Sequence, residues 1–141
     1  MVAAMREPAP AAQPLLAVAQ LHAFYGESHV LHGVDLEVGA GELVTLLGRN
    51  GAGKTTTLKA ISNLLRAERG EVTKGDIQFK SARIDQLTPN DLVKGGVIQV
   101  MEGRHCFAHL TIEENLLTGA YTRSLSRAEL RQSLEKVYEF F

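Results

Sequence analysis

The chain has 141 residues and a formal net charge of -1, from 15 Lys and Arg against 16 Asp and Glu. That length suits one domain rather than two, and the near-balance of charge lacks the basic excess with which proteins hold nucleic acid. Hydrophobic residues make up 45%, enough for a packed core, and the single cysteine, Cys106, rules out an internal disulfide framework and fits a reducing compartment. No apolar run approaches the roughly 20 residues of a membrane-spanning helix, and the N-terminus lacks the apolar stretch of a secretory signal. A cytosolic chain of mixed class is expected.

Residues 1–13 are rich in Ala and Pro without a usable period and are expected to be a disordered extension, with one domain over 14–141. Residues 15–24 suit a strand closed by Gly26, and Val34, Leu36 and Val38 alternate with polar neighbours as in a half-buried antiparallel strand. A turn at 39–41 leads into the run Glu42-Leu43-Val44-Thr45-Leu46-Leu47, which reads as a strand buried on both faces. After a glycine-rich loop, residues 56–65 carry Leu58, Ile61, Leu64 and Leu65 at helical spacing.

Beyond Gly70, residues 76–79 read as a strand paired with 72–74 or with the early strands. Thr88 and Pro89 form a helix start, stopped by Gly95 and Gly96, and residues 97–101 read as a second buried strand. Two capping boxes, Thr111 with Glu114 and Ser126 with Glu129, predict helices over 112–121 and 127–140. The last one meets the C-terminus without a stop signal.

Chemistry concentrates at Gly48-Arg49-Asn50-Gly51-Ala52-Gly53-Lys54-Thr55, which fits G-x-x-x-x-G-K-[ST] between a strand and a helix. Glycines permit positive φ and turn backbone N–H groups toward one anion, and the following helix aims its positive end at the same place. Lys54 adds a charge for the β- and γ-phosphates, Thr55 a hydroxyl for Mg²⁺, and Thr56 a donor for the α-phosphate. Tyr25, at a strand end, offers a ring on which a base can stack; a plain surface tyrosine is the other reading. Glu102 closes the expected strand at 97–101, where carboxylates ligate metal or water beside such loops; a solvated loop acid is the other reading. His105, Cys106 and His109 are too few and too loosely set for zinc, and Thr73-Lys74-Gly75-Asp76 lies too near the loop to read guanine.

Tyr25-Gly26, His29 to Val34, Gly41-Glu42, LLGRNGAGKTTTLKAI and the later Val100-Met101-Glu102-Gly103-Arg104 with Leu110-Thr111-Ile112-Glu113-Glu114-Asn115-Leu116 resemble the ATP-binding cassette (ABC) family. The second stretch is similar to the LivF-type ATPases of branched-chain amino-acid importers, with the urea-importer ATPases next. The resemblance implies an α/β P-loop NTPase core with an antiparallel β part at its N-terminus and helices after the Q-loop. It also implies ATP and Mg²⁺ as ligands and an importer ATPase peripheral on the inner face of the plasma membrane. Transmembrane permease subunits and a second ABC ATPase subunit are the implied partners, with a periplasmic solute-binding protein acting indirectly. In this analogy Lys54 and Glu102 carry the catalysis, Glu102 taking the Q-loop position, and Tyr25 stacks on adenine. Met101 departs from the Pro usual there.

The resemblance covers somewhat more than half of the family's length, and no LSGGQ signature or second apolar strand ending in Asp-Glu (Walker B) occurs in these residues. The expectation is an incomplete cassette, unable to hydrolyse ATP alone. A small P-loop kinase and a non-functional gene fragment are the other readings. The row Arg123, Arg127 and Arg131 suits a solvated helix face better than a kinase lid.

Overall fold

The computed structural model describes residues 13–103 and 105–140, and these fall into two compact units divided after Pro89. The proposed extension at 1–13 lies outside the described residues except for Gln13, whose side-chain oxygen accepts from Ser81 Oγ at 2.8 Å.

The first unit is built on a four-stranded antiparallel sheet in the order β2-β1-β3-β4. Its strands are β1 (Leu16–Tyr25), β2 (Ser28–Val38), β3 (Gly70–Phe79) and the short β4 (Ala82–Arg83). Pairing of β1 with β3 settles the alternatives for 76–79: residues 72–74 belong to the same strand, which runs antiparallel to β1 from Leu16 opposite Phe79 to Tyr25 opposite Gly70. Val18, Leu21, Ala23, Leu31, Ile77 and Ile84 form the buried core of the unit with Ala60, Ile61 and Leu65.

Strand alternation is broken deliberately. Val18 and Leu21 are both buried although three residues apart, because the register shifts between them and Gln20 takes φ +48°. The carboxylate of Asp35 satisfies the displaced segment, accepting from Gln20 N at 2.8 Å and from Gln20 Nε2 at 2.7 Å. Gly75 (φ +107°) crosses the same point on β3, and a Cβ there would stand 2.6 Å from the Gln20 carbonyl oxygen. Only glycine fits that approach.

Helix α1 (Lys54–Ile61) starts two residues earlier and ends four residues earlier than the spacing predicts. Its buried face is Thr56, Thr57, Ala60 and Ile61, whereas Leu58 is exposed, so the leucine spacing misplaced the stripe. A 3-10 turn, Leu65–Glu68, then leads into β3, and Asn63 Nδ2 donates to the carbonyls of Ile84 and Leu87 at 2.9 and 2.8 Å.

Two expected buried strands are not strands. Residues 42–47 have no strand partner among the described residues, and Leu43 and Leu47 are 93% and 88% exposed. Residues 97–101 are likewise irregular, with Val100 91% exposed. The apolar content of both runs is real, but a strand exists only through hydrogen bonds to a neighbour. The sheet's four strands bond one another and leave these two runs without one.

The helix start at Thr88-Pro89, where the first unit ends, is found as α2 (Pro89–Gly95), ended by Gly96 at φ +102°. Both capping boxes are complete and open α3 (Ile112–Thr118) and α4 (Arg127–Tyr138), each shorter at its C-terminal end than the sequence suggests. Thr111 N donates to Glu114 Oε2 at 2.8 Å while Glu114 N donates to Thr111 Oγ1 at 3.2 Å, and Ser126 and Glu129 repeat the exchange.

Candidate functional site

The loop at 48–53 turns tightly between the irregular run before it and α1. Gly51 (φ +83°) and Gly53 (φ +85°) adopt the left-handed conformation, and Ala52 N donates to the Arg49 carbonyl at 3.1 Å. Gly53 is also a packing point. A Cβ at Gly53 would lie 2.7 Å from Leu31 Cδ2, so the loop rests on β2 with no room for a side chain.

Gly53 caps α1 without a side-chain hydrogen bond, and the first turn of α1 contains no acidic residue. The first bonded amide of the helix is Thr57 N, which donates to the Gly53 carbonyl at 2.8 Å. The amides of Lys54, Thr55 and Thr56 therefore have no carbonyl within the helix, as for any helix start. In most helices a Ser, Thr, Asp or Asn side chain takes one such donor. Here they remain available to an anion, at the positive end of the helix dipole.

Lys54 brings its ammonium back over the loop, donating to the carbonyls of Gly48 at 2.7 Å and Arg49 at 2.9 Å. A cation and a set of unbonded amides thus share one short segment. This chemistry suits a polyphosphate: acceptor oxygens for the amides and negative charge for Lys54, with the Thr55 side chain exposed beside them. Thr56 is buried, so its contribution to an anion is its main-chain N–H rather than its hydroxyl.

Tyr25 stands in the same unit, at the end of β1. Its ring covers Gly70, where a Cβ would meet Tyr25 Cε1 at 2.8 Å, and its hydroxyl donates to Glu68 Oε2 at 3.4 Å. Lys59 holds Glu68 at 2.5 Å, and this hydrogen bond keeps the Glu68 carboxyl below its ordinary pKa. Tyr25 is thereby fixed from below by residues whose role the sequence did not signal. Leu31 under the loop was missed for a similar reason: the register shift between Ala23 and Phe24 hides it from a period-two reading.

Glu102 belongs to the second unit, exposed in a bend, where the ring nitrogen His105 Nε2 donates to the Glu102 carbonyl at 2.6 Å. Of the sequence fragment 100–104, Arg104 lies outside the described residues. Residues 48–56 and Tyr25 thus lie in one unit and Glu102 in the other.

Residues 31–140 match the family of ABC transporters. The chain belongs to the ABC transporter family. Over 127 residues it is 32% identical to the high-affinity branched-chain amino acid transport ATP-binding protein BraG of Pseudomonas aeruginosa, covering 90% of this chain and 52% of that protein. Over 98 residues it is 40% identical to the L-cystine transport system ATP-binding protein TcyN of Escherichia coli, covering 68% of this chain and 39% of that one. A solved structure of an ATP-binding subunit of an ABC transporter superposes with a TM-score of 0.65 at 35% identity, covering 82% of this chain and 45% of the other. The chain spans about half, or less, of the length of these ABC proteins. Its fold is accordingly part of an ABC cassette, the α/β P-loop NTPase architecture, and the antiparallel sheet with α1 belongs to that part. Among the described residues no helix is long and apolar enough to cross a membrane.

Proposed function

We propose that the chain is the nucleotide-holding part of an ABC importer ATPase, binding MgATP through residues 48–56. The observation that carries this reading is the uncapped start of α1, free of acidic side chains, with Lys54 folded over the loop that precedes it. Lys54, with the amides of Gly51, Gly53, Thr55 and Thr56, would hold the phosphates, and Gly48, Arg49, Asn50 and Ala52 shape the turn. Thr55 would supply a hydroxyl to Mg²⁺, which when bound neutralises charge on the β- and γ-phosphates. Tyr25 would offer its ring to adenine, and Glu102 would face metal and water as the Q-loop residue.

The solute proposed is a branched-chain amino acid, supported by the likeness to BraG over nine-tenths of the chain and by Glu102-Gly103. Permease subunits, a second ABC ATPase subunit and, indirectly, a periplasmic binding protein complete the proposed assembly, on the cytoplasmic face of the membrane. The residues assigned here hold phosphate, metal and base, and none is assigned as the general base for water, so the 141-residue chain by itself is expected to turn ATP over only at background.

Calorimetric titration with ATP and with adenosine tests the cradle. Lys54→Ala should weaken ATP by about 100-fold or more, the scale of losing a charge-assisted contact in a phosphate site, and leave adenosine nearly unchanged. Equal losses for both ligands would overturn the assignment. Uptake of labelled leucine against labelled cystine, in cells lacking and then regaining the gene, tests the solute. Mg²⁺-dependent, Lys54-dependent turnover by the purified chain would refute the expectation of background activity.

A further inference from the structure

A concavity of about 580 Å³ opens in the first unit. None of its lining residues belongs to 48–56, and none is aromatic. One wall is the open edge of β3. The short strand β4 pairs only with Gln78 and Phe79, and Ile84 N takes the Ile77 carbonyl at 2.9 Å. From Gly70 to Asp76, β3 has β1 on one side and, among the described residues, no strand on the other. Gly75, at φ +107°, bends the strand, and the pairing with β1 shifts register between Val72 and Lys74, leaving Thr73 opposite no residue of β1; the open stretch 71–74 is therefore bulged rather than regular. Its outer edge still leaves backbone N–H and C=O groups without a strand partner.

Charge on the rim is uneven. Arg83 lies 2.6 Å from both Asp76 and Asp85, which consumes its charge locally. Arg66, Arg69 and Lys74 line the same concavity, are exposed, and form no ion pair among the described residues; Glu71 is the one unpaired carboxylate against them. Arg69 itself takes φ +61° where the 3-10 turn passes into β3, which places it at the mouth of the edge.

We propose that this concavity is a docking groove for an extended acidic peptide segment of a partner protein, which adds as a short strand to β3 at residues 71–74 and pairs its carboxylates with Arg66, Arg69 and Lys74. A simple anion would satisfy the cations but would leave the carbonyls of the edge without donors. A peptide strand satisfies both the N–H and the C=O groups, with side-chain charge supplying selectivity. The ATP test varies Lys54 and the groove test varies Arg66, Arg69 and Lys74, with no residue shared, so the two tests fail separately.

The experiment uses a fluorescein-labelled peptide of about eight residues, alternating Glu and Val, a length that spans a short strand. Anisotropy should show saturable binding that weakens with salt, with amide shifts in NMR spectra concentrated at residues 69–75. Methylating alternate peptide nitrogens should weaken binding about tenfold or more by removing strand hydrogen bonds. The double variant Arg66→Glu/Arg69→Glu, exposed and thus expected to fold, should do the same; Lys74→Glu provides a second, independent variant, with melting curves confirming the fold. Equal binding of the methylated peptide, equal binding by the charge-reversed variants, or displacement by inorganic phosphate or a short oligonucleotide as efficient as by unlabelled peptide would each overturn the proposal.

Discussion

Strand β1 and the run 42–47 are both rich in aliphatic residues, yet Leu21 in β1 is fully buried and Leu43 is 93% exposed. The difference is not hydrophobicity but neighbours. Strand β1 is central, with β2 on one side and β3 on the other, so each apolar side chain that it turns inward is covered while its backbone is bonded on both edges. Residues 42–47 have neither, and a leucine left in water forgoes about 1.5–3 kcal/mol of burial. The phosphate loop stands between these two regimes, entered from the uncovered run and anchored by Gly53 on Leu31. A loop can therefore be well anchored on one side while the segment that leads into it is open.

Paired truncations test this contrast most directly. Leu21→Ala should destabilise the chain by about 2–5 kcal/mol in urea unfolding, as cavities in packed cores do. Leu43→Ala should change it by less than about 0.5 kcal/mol, as at exposed sites. Similar losses for the two would mean that 42–47 is covered in solution. Gly53→Ala comes next: it places a Cβ against Leu31 and forces an L side chain to φ +85°, a cost of about 1–3 kcal/mol, and it should weaken ATP binding together with stability. In the second unit Ser126→Ala should lower the helix content of α4 at a cost of about 1 kcal/mol, read by circular dichroism.

The smallest expected effect is a pH dependence. His22 Nδ1 and His29 Nε2 lie 3.1 Å apart, stacked beside His32 and Phe24 on the first hairpin. Desolvation holds the His22 imidazole below its ordinary pKa of about 6.5, and His29, Lys74 and His32 add to the effect by repulsion. With the folded value depressed, the unfolded chain takes up this proton first as the pH falls. The contribution is therefore complete above about 6.5 and is lost as the pH drops through the lower folded value. His22→Asn should flatten the decline in melting temperature between neutral pH and about pH 5. An NMR titration of His22 with its midpoint at or above the ordinary value would contradict this account.

Local signals in the sequence survived well where the structure they specify is itself local. Thr111 with Glu114 and Ser126 with Glu129 close reciprocal bonds within four residues, and both boxes form as their spacing predicts. Pro89 and Gly96 bound their short helix for the same reason. The loop at 48–53 was equally legible, because glycine spacing dictates backbone angles directly. Helix α1 was misjudged at both ends: leucine spacing placed the buried stripe on Leu58, whereas small Thr and Ala side chains let the helix approach the sheet.

What the amino-acid order determined alone is the turn at 48–53 and the caps: glycines at 51 and 53 with positive φ, and an acid three residues beyond each cap, all acting over a few bonds of chain. What only the tertiary structure decided is which apolar runs become strands, how Gln20 and Gly75 pass through the sheet out of step, and which face of α1 is hidden. Those outcomes depend on partners far away in sequence. Hydrogen bonds between strands and contacts between side chains are properties of pairs, and one member of a pair does not encode the other's position.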